Sequence, residues 1–236
     1  MLIINADDLG RSVAETDAAL SCWAARRITS VSAMVFMADS VRAADLARAA
    51  SVPTGLHLNL TESFSAADVA IELRQRHDRV RRFLRASRFA PLVYNPLLRA
   101  DFAAVVRAQY EEFERLYGRA PDHVDGHQHM HLSSNVLLQR LLPEGVRVRR
   151  SFTFERHQKS SLNRWYRSRV DRALARRHRI TDHFFSLSQQ LQYGGLARVG
   201  ALAKGQEVEL MVHPAWPREW QFLHGDGHHH LTGATT

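Results

Sequence analysis

The sequence predicts an α/β fold: a TIM-barrel-like (β/α) barrel with about seven parallel strands, in a single domain. Three observations carry this expectation. Short apolar runs alternate with segments of helical spacing along most of the chain. The length of 236 residues is near the ~250 of a regular eight-unit barrel. Polar side chains able to do chemistry close several of the apolar runs, and barrels of this kind build their sites at the C-terminal ends of strands. An open doubly wound sheet is the architectural alternative.

The elements follow in order. Leu2–Asn5 is a short apolar strand. Ser12-x-x-Glu15 has the form of a capping box, after which Val13, Leu20 and Trp23 recur near helical spacing. Val31–Phe36 is a strand, and Val41–Ala50 a helix behind a Ser40 cap. Over Leu56–Thr61 the leucines at 56, 58 and 60 take one face of a strand, and His57, Asn59 and Thr61 take the other. Residues 62–98 show no clear period and read as an excursion. Phe102, Val105, Val106, Gln109, Phe113 and Leu116 mark a long helix that Gly118 stops. His123–Gly126 is a strand, Asn135–Leu142 a helix and Val146–Arg149 a strand. Asp182–Leu187 and Val208–His213 are the last strands. Residues 1–217 thus form the barrel, and 218–236, rich in glycine and containing His228–His230, form an irregular tail.

Composition narrows the class. A hydrophobic content of 45% suits a globular core, and no apolar run approaches the ~20 residues of a membrane span. The chain opens on a strand pattern without a basic leader, and Cys22 is its only cysteine. Together these favour a cytoplasmic protein without internal disulfides. The net charge is +8, and it is uneven. Residues 146–179 hold eleven Arg and one Lys against Glu155 and Asp171, a net of +10, which leaves about −2 elsewhere. A solvated arginine-rich face and contact with a phosphate, nucleotide or membrane surface both fit this segment.

The reactive residues are concentrated. Asp125-Gly126-His127-Gln128-His129-Met130-His131 places three histidines and an aspartate in seven positions. Imidazole is the commonest metal ligand and the usual proton carrier near neutral pH. If this stretch is extended, the three rings face one way; if it turns at Gly126, only some converge. Asp7 and Asp8 are adjacent at a strand end, where two carboxylates repel unless a cation or proton intervenes. A metal would bind one and leave the other as a base. His57 lies on the polar face of a leucine-rich strand. One aspartate, His57 and one ring of the histidine cluster make a two-histidine, one-carboxylate set with positions left for water and substrate. A closed, thiolate-rich structural zinc site is excluded by the single cysteine. His213, before Pro214, reads either as a strand-end residue or as a general acid.

Four motifs together carry a resemblance. Asn-Ala-Asp-Asp-Leu-Gly at 5–10, Gly-Leu-His-Leu-Asn-Leu-Thr at 55–61, Asp-Gly-His-Gln-His-Met-His at 125–131 and Met-Val-His-Pro at 211–214 resemble the YdjC family of carbohydrate deacetylases. That family includes chitooligosaccharide deacetylases and a deacetylase linked to hopanoid biosynthesis. The resemblance spans almost the whole chain. It implies a barrel-like α/β fold, hydrolysis of an N-acetyl group from an amino sugar, and one divalent ion, Mg2+ or Zn2+, at Asp8, His57 and His127. It also implies Asp7 as base and His213 as acid. The excursion, with its arginine-rich 74–88 portion, and the short region after Pro214 depart from the family pattern.

Asn59 and His131 on the polar edges, and Arg164 and Arg167 in the basic segment, are the expected substrate contacts. The substrate is an N-acetylated sugar or glycoconjugate, with an anionic or lipid-linked form favoured by the basic segment and peripheral membrane contact a corollary. Two other readings remain at this stage. A two-histidine, one-carboxylate set also serves non-haem iron oxygenases. Phe152, Phe154, Trp165 and Tyr166, interleaved with arginines, suit a nucleic-acid or membrane-surface module, although that reading leaves the four polar strand ends unused and no nucleic acid is expected.

Overall fold

A computed structural model describes residues 1–154 and 159–225. Among them are seven strands: β1 (Leu2–Leu9), β2 (Ser30–Ala33), β3 (Thr54–Leu58), β4 (His123–Gly126), β5 (Arg147–Val148), β6 (His183–Ser186) and β7 (Val208–Val212). They form one all-parallel sheet in the order β5-β4-β3-β2-β1-β7-β6. The helices are α1 (Val13–Ala24), α2 (Ser40–Ala49), α3 (Ile71–Arg85), α4 (Arg99–Tyr117), α5 (Ser134–Leu138), α6 (Ser161–Ala175), α7 (Leu187–Tyr193), α8 (Leu196–Ala203) and α9 (Pro217–His224).

The closed barrel expected from the sequence does not form. The sheet curls through 237° and leaves its edges 11 Å apart, an open half-barrel. The edge strand β5 is only two residues long, and among the described residues an isolated bridge, Arg147 to Arg179, with the Gly145 amide bonded to the Arg177 carbonyl, links it toward the β6 side. Farther along, the Thr153 amide donates to the Phe184 carbonyl at 2.9 Å. These isolated bonds are not the continuous, staggered ladder that barrel closure requires.

The two faces of the curled sheet differ in chemistry. Ile4, Ala6, Val31, Ala33, Leu56, Leu58, Val124, Leu210 and Val212 are buried in the apolar core. Residues of the opposite parity, Asn5, Asp7, Ser30, Ser32, His57, His123, Asp125 and Glu209, are buried as well. Strand alternation separates the two sets. One face therefore packs by hydrophobic burial, while the other is joined by hydrogen bonds, since buried polar groups without partners are costly.

Several local expectations need correction. Ser12 and Glu15 bond each other through their side chains, and Ser12 makes no side-chain cap to the backbone. The buried stripe of α1 is Thr16, Ala19 and Cys22, while Val13 is exposed. Ser40 opens α2 rather than capping it from outside; its hydroxyl donates to the Met34 carbonyl and accepts from the Met37 amide. The 62–98 excursion contains the fifteen-residue helix α3. Gly118 ends α4 as expected, in the left-handed region at φ 69°, where its missing Cβ removes the steric penalty. The tail expected to be irregular from 218 onward begins with α9. His228–His230 lie outside the described residues.

Candidate active site

The site lies at the C-terminal ends of the central strands, and the backbone sets it up at β1. The pairing of β1 with β2 shifts register between Ala6 and Leu9. Asp8 sits there at φ 68°, a left-handed conformation that non-glycine residues seldom take. Regular alternation would send Asp7 and Asp8 to opposite faces. The irregularity brings both to His57: Asp7 Oδ2 is 4.0 Å from His57 Nδ1, and Asp8 Oδ1 is 3.3 Å from His57 Nε2. Strain of this kind persists where the surroundings over-determine it and clusters at functional sites.

His57 is the register partner of Asp125 across β3 and β4. Its Nδ1–H donates to Asp125 Oδ1 at 2.8 Å, since the carboxylate can only accept. This leaves Nε2 facing Asp8. After Gly126 the chain turns into a 3-10 segment, His127–Leu132, in which Gln128 and His129 are left-handed. The three histidines therefore diverge. His127 turns back, with Nδ1 3.0 Å from Asp8 Oδ1. His129 packs against Phe152 and Phe184. His131 is fully buried, with Nε2–H donating to the Arg149 carbonyl at 2.9 Å. One ligand atom from each of Asp8, His57 and His127 lies within 4.8 Å of the others.

Burial alone would raise the Asp8 carboxyl, but hydrogen bonds from His127 and His57 outweigh it and hold the group well below the usual carboxylate range. Burial likewise works against charge on His57, yet Asp125 and Asp7 lift it to about 10.

Arg149, fully buried just beyond β5, organises the remaining carboxylates. Its Nη1 and Nη2 hold both oxygens of Asp7 at 2.6 and 2.7 Å. Nη2 also meets Asp125 Oδ2 at 2.6 Å, and Nε donates to Glu209 Oε1 at 2.6 Å. Ser32 Oγ donates to Asp125 Oδ2 at 2.7 Å, and Asn5 Nδ2 donates to Asp7 Oδ1 at 2.9 Å. Burial pushes the Glu209 carboxyl up, with Arg149 opposing. Asp7, His57 and Asp125 form a second cluster of potential ligands, but its two carboxylates already share the guanidinium, so Arg149 supplies the positive charge there.

His213 directly follows β7, whose last residue, Val212, pairs with Ala6, the residue before Asp7. Its ring stacks on Trp216 at 4.1 Å, and its amide donates to Glu219 Oε2 at 2.5 Å. Glu219, nearly fully buried on α9, also accepts from Ser188.

The other expected contacts fall as follows. Asn59 is buried and closes the turn after β3: its Oδ1 accepts from the Thr61 and Glu62 amides, and its Nδ2 donates to the Glu62 carbonyl. That turn presents Glu62, whose Oε2 is 3.3 Å from His127 Nε2 and which also binds Arg11. Arg164 donates to the Lys159 carbonyl. Arg167 lines a cavity of about 330 Å³ together with Gln128 and His129, next to His127. The larger cavity of about 770 Å³, between Phe154 and Arg198, touches none of the clustered histidines. Sequence reasoning missed Glu62, Arg149, Glu209 and Glu219. Only Glu219 carried a local signal, an acidic residue six positions after His213.

Fold and site define a class: a parallel α/β protein with a two-histidine, one-carboxylate cluster at its strand ends, buried except at His127, beside an arginine-bound aspartate. The chain belongs to the YdjC-like protein family, whose model matches residues 1–234. It is 30% identical to a carbohydrate deacetylase of Mus musculus, over 92% of this chain and 78% of that protein. A carbohydrate deacetylase of Homo sapiens is 31% identical over 92% and 75%, and a chitooligosaccharide deacetylase of Proteus mirabilis 28% over 92% and 81%. The fold is similar to a crystal structure from Enterococcus faecalis V583, of a protein assigned to cellobiose-phosphate cleavage. The TM-score is 0.59 at 19% identity, covering 89% of this chain and 79% of that one.

Proposed function

We propose that the protein is a metal-dependent deacetylase that hydrolyses the N-acetyl group of an amino sugar or glycoconjugate. One observation carries this reading: Asp8, His57 and His127 form a donor cluster with Asp7, held by Arg149, on the other side of His57.

A divalent cation suits the donors. Asp8 is buried with an imidazole nitrogen of His57 and of His127 on the same carboxylate oxygen, Oδ1, and Arg11 is farther off, 3.6 Å from Oδ2, so the three donors converge on one point. Asp125 fixes the His57 tautomer that leaves Nε2 available, the usual arrangement of a carboxylate behind a ligating histidine. A metal ion held by Asp8, His57 and His127 would polarise an acetamide carbonyl and lower the pKa of a water molecule. Two imidazoles favour zinc, while a carboxylate with waters suits magnesium.

The protein groups divide the proton transfers. Asp7, oriented at both oxygens by Arg149, takes a proton from the water that attacks the carbonyl carbon. His213, placed by Glu219 and Trp216, gives a proton to the leaving nitrogen, which departs as a free amine rather than a poor anionic leaving group. The products are acetate and the amino sugar. An oxygenase would leave the Asp7–Arg149 and His213–Glu219 pairs without a task.

The test is acetate release from N-acetylated amino sugars by chelated protein reloaded with Zn2+ or Mg2+. Activity should return with one of the ions and be absent in His57→Ala and His127→Ala, which should fold yet bind less metal. Full turnover in chelated protein, or in either variant, refutes the reading.

A further inference from the structure

Two segments border the cavity lined by Gln128 and His129, the residues that follow His127 in the chain, and both turn apolar side chains outward. On the excursion, Phe89, Leu92, Val93, Tyr94 and Leu97 are exposed within nine residues, Leu97 at 90%. On α6, Leu162 is 72% and Trp165 56% exposed, with Tyr166 next to them. The segments meet at the cavity, where Arg88, Phe89 and Leu92 face Asn163, Tyr166 and Arg167. Scattered apolar residues on a surface need no explanation, but a contiguous patch rimming a cavity marks an interaction site.

The charge of this face is one-sided. Residues 79–100 contain six arginines and no carboxylate, with Arg79 paired to Asp101 and Arg81 to Asp78 at the edges of the segment, and residues 159–170 contain Lys159 and three arginines, again with no carboxylate. Arg88 lies over the Phe89 ring at 4.7 Å, and Arg169 over Trp165 at 5.5 Å. Arg167 donates to Asn163, and Arg172 to the Ser168 carbonyl. Arg167 also lies over the Phe154 ring at 5.0 Å and in the field of Asp171, which Arg150 already binds. Among the described residues Arg88, Arg169 and Arg172 have no carboxylate within ion-pair distance, and their charge is available to an anionic partner.

We propose that this face docks on an anionic lipid bilayer, so that the adjoining site acts on an acetylated amino sugar presented at that surface. Aromatic rings and leucines that enter the headgroup region, framed by arginines that meet anionic lipids, are the composition of an interfacial surface. A second copy of the chain fits poorly. A two-fold contact would set the same acid-free arginines against each other, and like charges repel. Nucleic acid would use the rings and arginines but leave Leu92, Val93, Leu97 and Leu162 without a role. The substrate part of the inference rests on the deacetylase reading; the bilayer contact does not.

The experiment is co-sedimentation of the full chain with vesicles of phosphatidylcholine alone or mixed with phosphatidylglycerol, at low and high salt. Three proteins are compared: wild type, a Leu97→Ser/Leu162→Ser/Trp165→Ser variant and an Arg169→Glu/Arg172→Glu variant. Wild type should bind the anionic vesicles and not the neutral ones, more weakly at high salt. Each variant should lower the partition coefficient at least about tenfold. Turnover of a soluble N-acetyl sugar should be unchanged in both, because none of the five residues lines the cavity or the site. Absence of anionic-vesicle binding, or equal binding by all three proteins, overturns the proposal. A concentration-dependent dimer of wild type, abolished by the serine variant in sedimentation, would assign the face to a second copy and overturn it too. Vesicle binding is read without turnover, so it fails or succeeds apart from the deacetylase assay.

Discussion

Arg149 grips Asp7 through two parallel hydrogen bonds of 2.6 and 2.7 Å, although the residues are 142 positions apart in the chain. The same side chain reaches Asp125 and Glu209. Removing it would strand three buried carboxylates, and losing one partner of a buried ion pair typically costs ~3–5 kcal/mol. Arg149→Ala should therefore lower the thermal midpoint sharply or fail to fold. Arg149→Lys keeps the charge but not the fork. It should fold, retain metal and lose turnover by ~10²-fold, the scale of a small misplacement of a catalytic group. Calorimetry and kcat measured on the same preparations check both outcomes.

Asp7 and Asp8 should separate cleanly. Asp7→Asn should keep metal bound and lose ~10²–10⁴-fold in kcat, the usual range for a missing general base. Asp8→Asn should lose metal first. Elemental analysis beside kinetics decides this, and equal metal loss in both variants would count against distinct roles.

Asp125 acts through His57. Asp125→Asn removes the negative charge that the His57 Nδ1–H meets at 2.8 Å. Metal affinity should fall ~10–100-fold, the range for loss of an outer hydrogen-bond partner of a ligating histidine. Competition with a chelator of known affinity measures it.

Glu219 should matter for turnover and not for metal. Its carboxylate holds the His213 amide and the Ser188 hydroxyl. Glu219→Ala should lower kcat by ~10-fold or more through misplacement of His213, with metal content unchanged.

Acid should destabilise the metal-free protein in a defined window. Burial lowers His77, His123 and His131 to about 4, whereas the unfolded chain titrates at ~6.5. Between these values the unfolded state binds more protons, so stability falls as pH drops from ~6.5 toward 4. His57 has the opposite sign: its contribution is complete below ~6.5 and is lost as pH rises through about 10. Urea midpoints across this range should show the acid loss. His77→Gln should reduce the slope, since His77 stacks on Phe64 and bonds the Asn59 carbonyl away from the clustered ligands.

What the sequence by itself determined is local. The alternation of Leu56, His57 and Leu58 sorted one strand's side chains between two faces. Gly118 ended α4 because few other residues take its backbone conformation. The acidic pair, His57, His127 and His213 stood out because their residue types at strand ends are rare except where chemistry uses them. The helix within the excursion was hidden for an equally local reason. Its buried positions are His77, Val80 and Leu84, and a histidine in the apolar stripe obscures the period.

What only the tertiary structure decided is which distant groups meet. Nothing near Arg149 distinguishes it from the other arginines; its role arises where β1, β4, β7 and the end of β5 converge. Glu62 and Glu219 reach their partners in the same way, through a turn closed by Asn59 and a helix folded back beside His213. Whether the sheet closes depends on β5 and β6, which are separated by more than thirty residues yet form its two edges. Hydrophobic periodicity reports how each segment is half buried, but edge pairing and charge neutralisation are set by distances across the fold, and no local pattern encodes those.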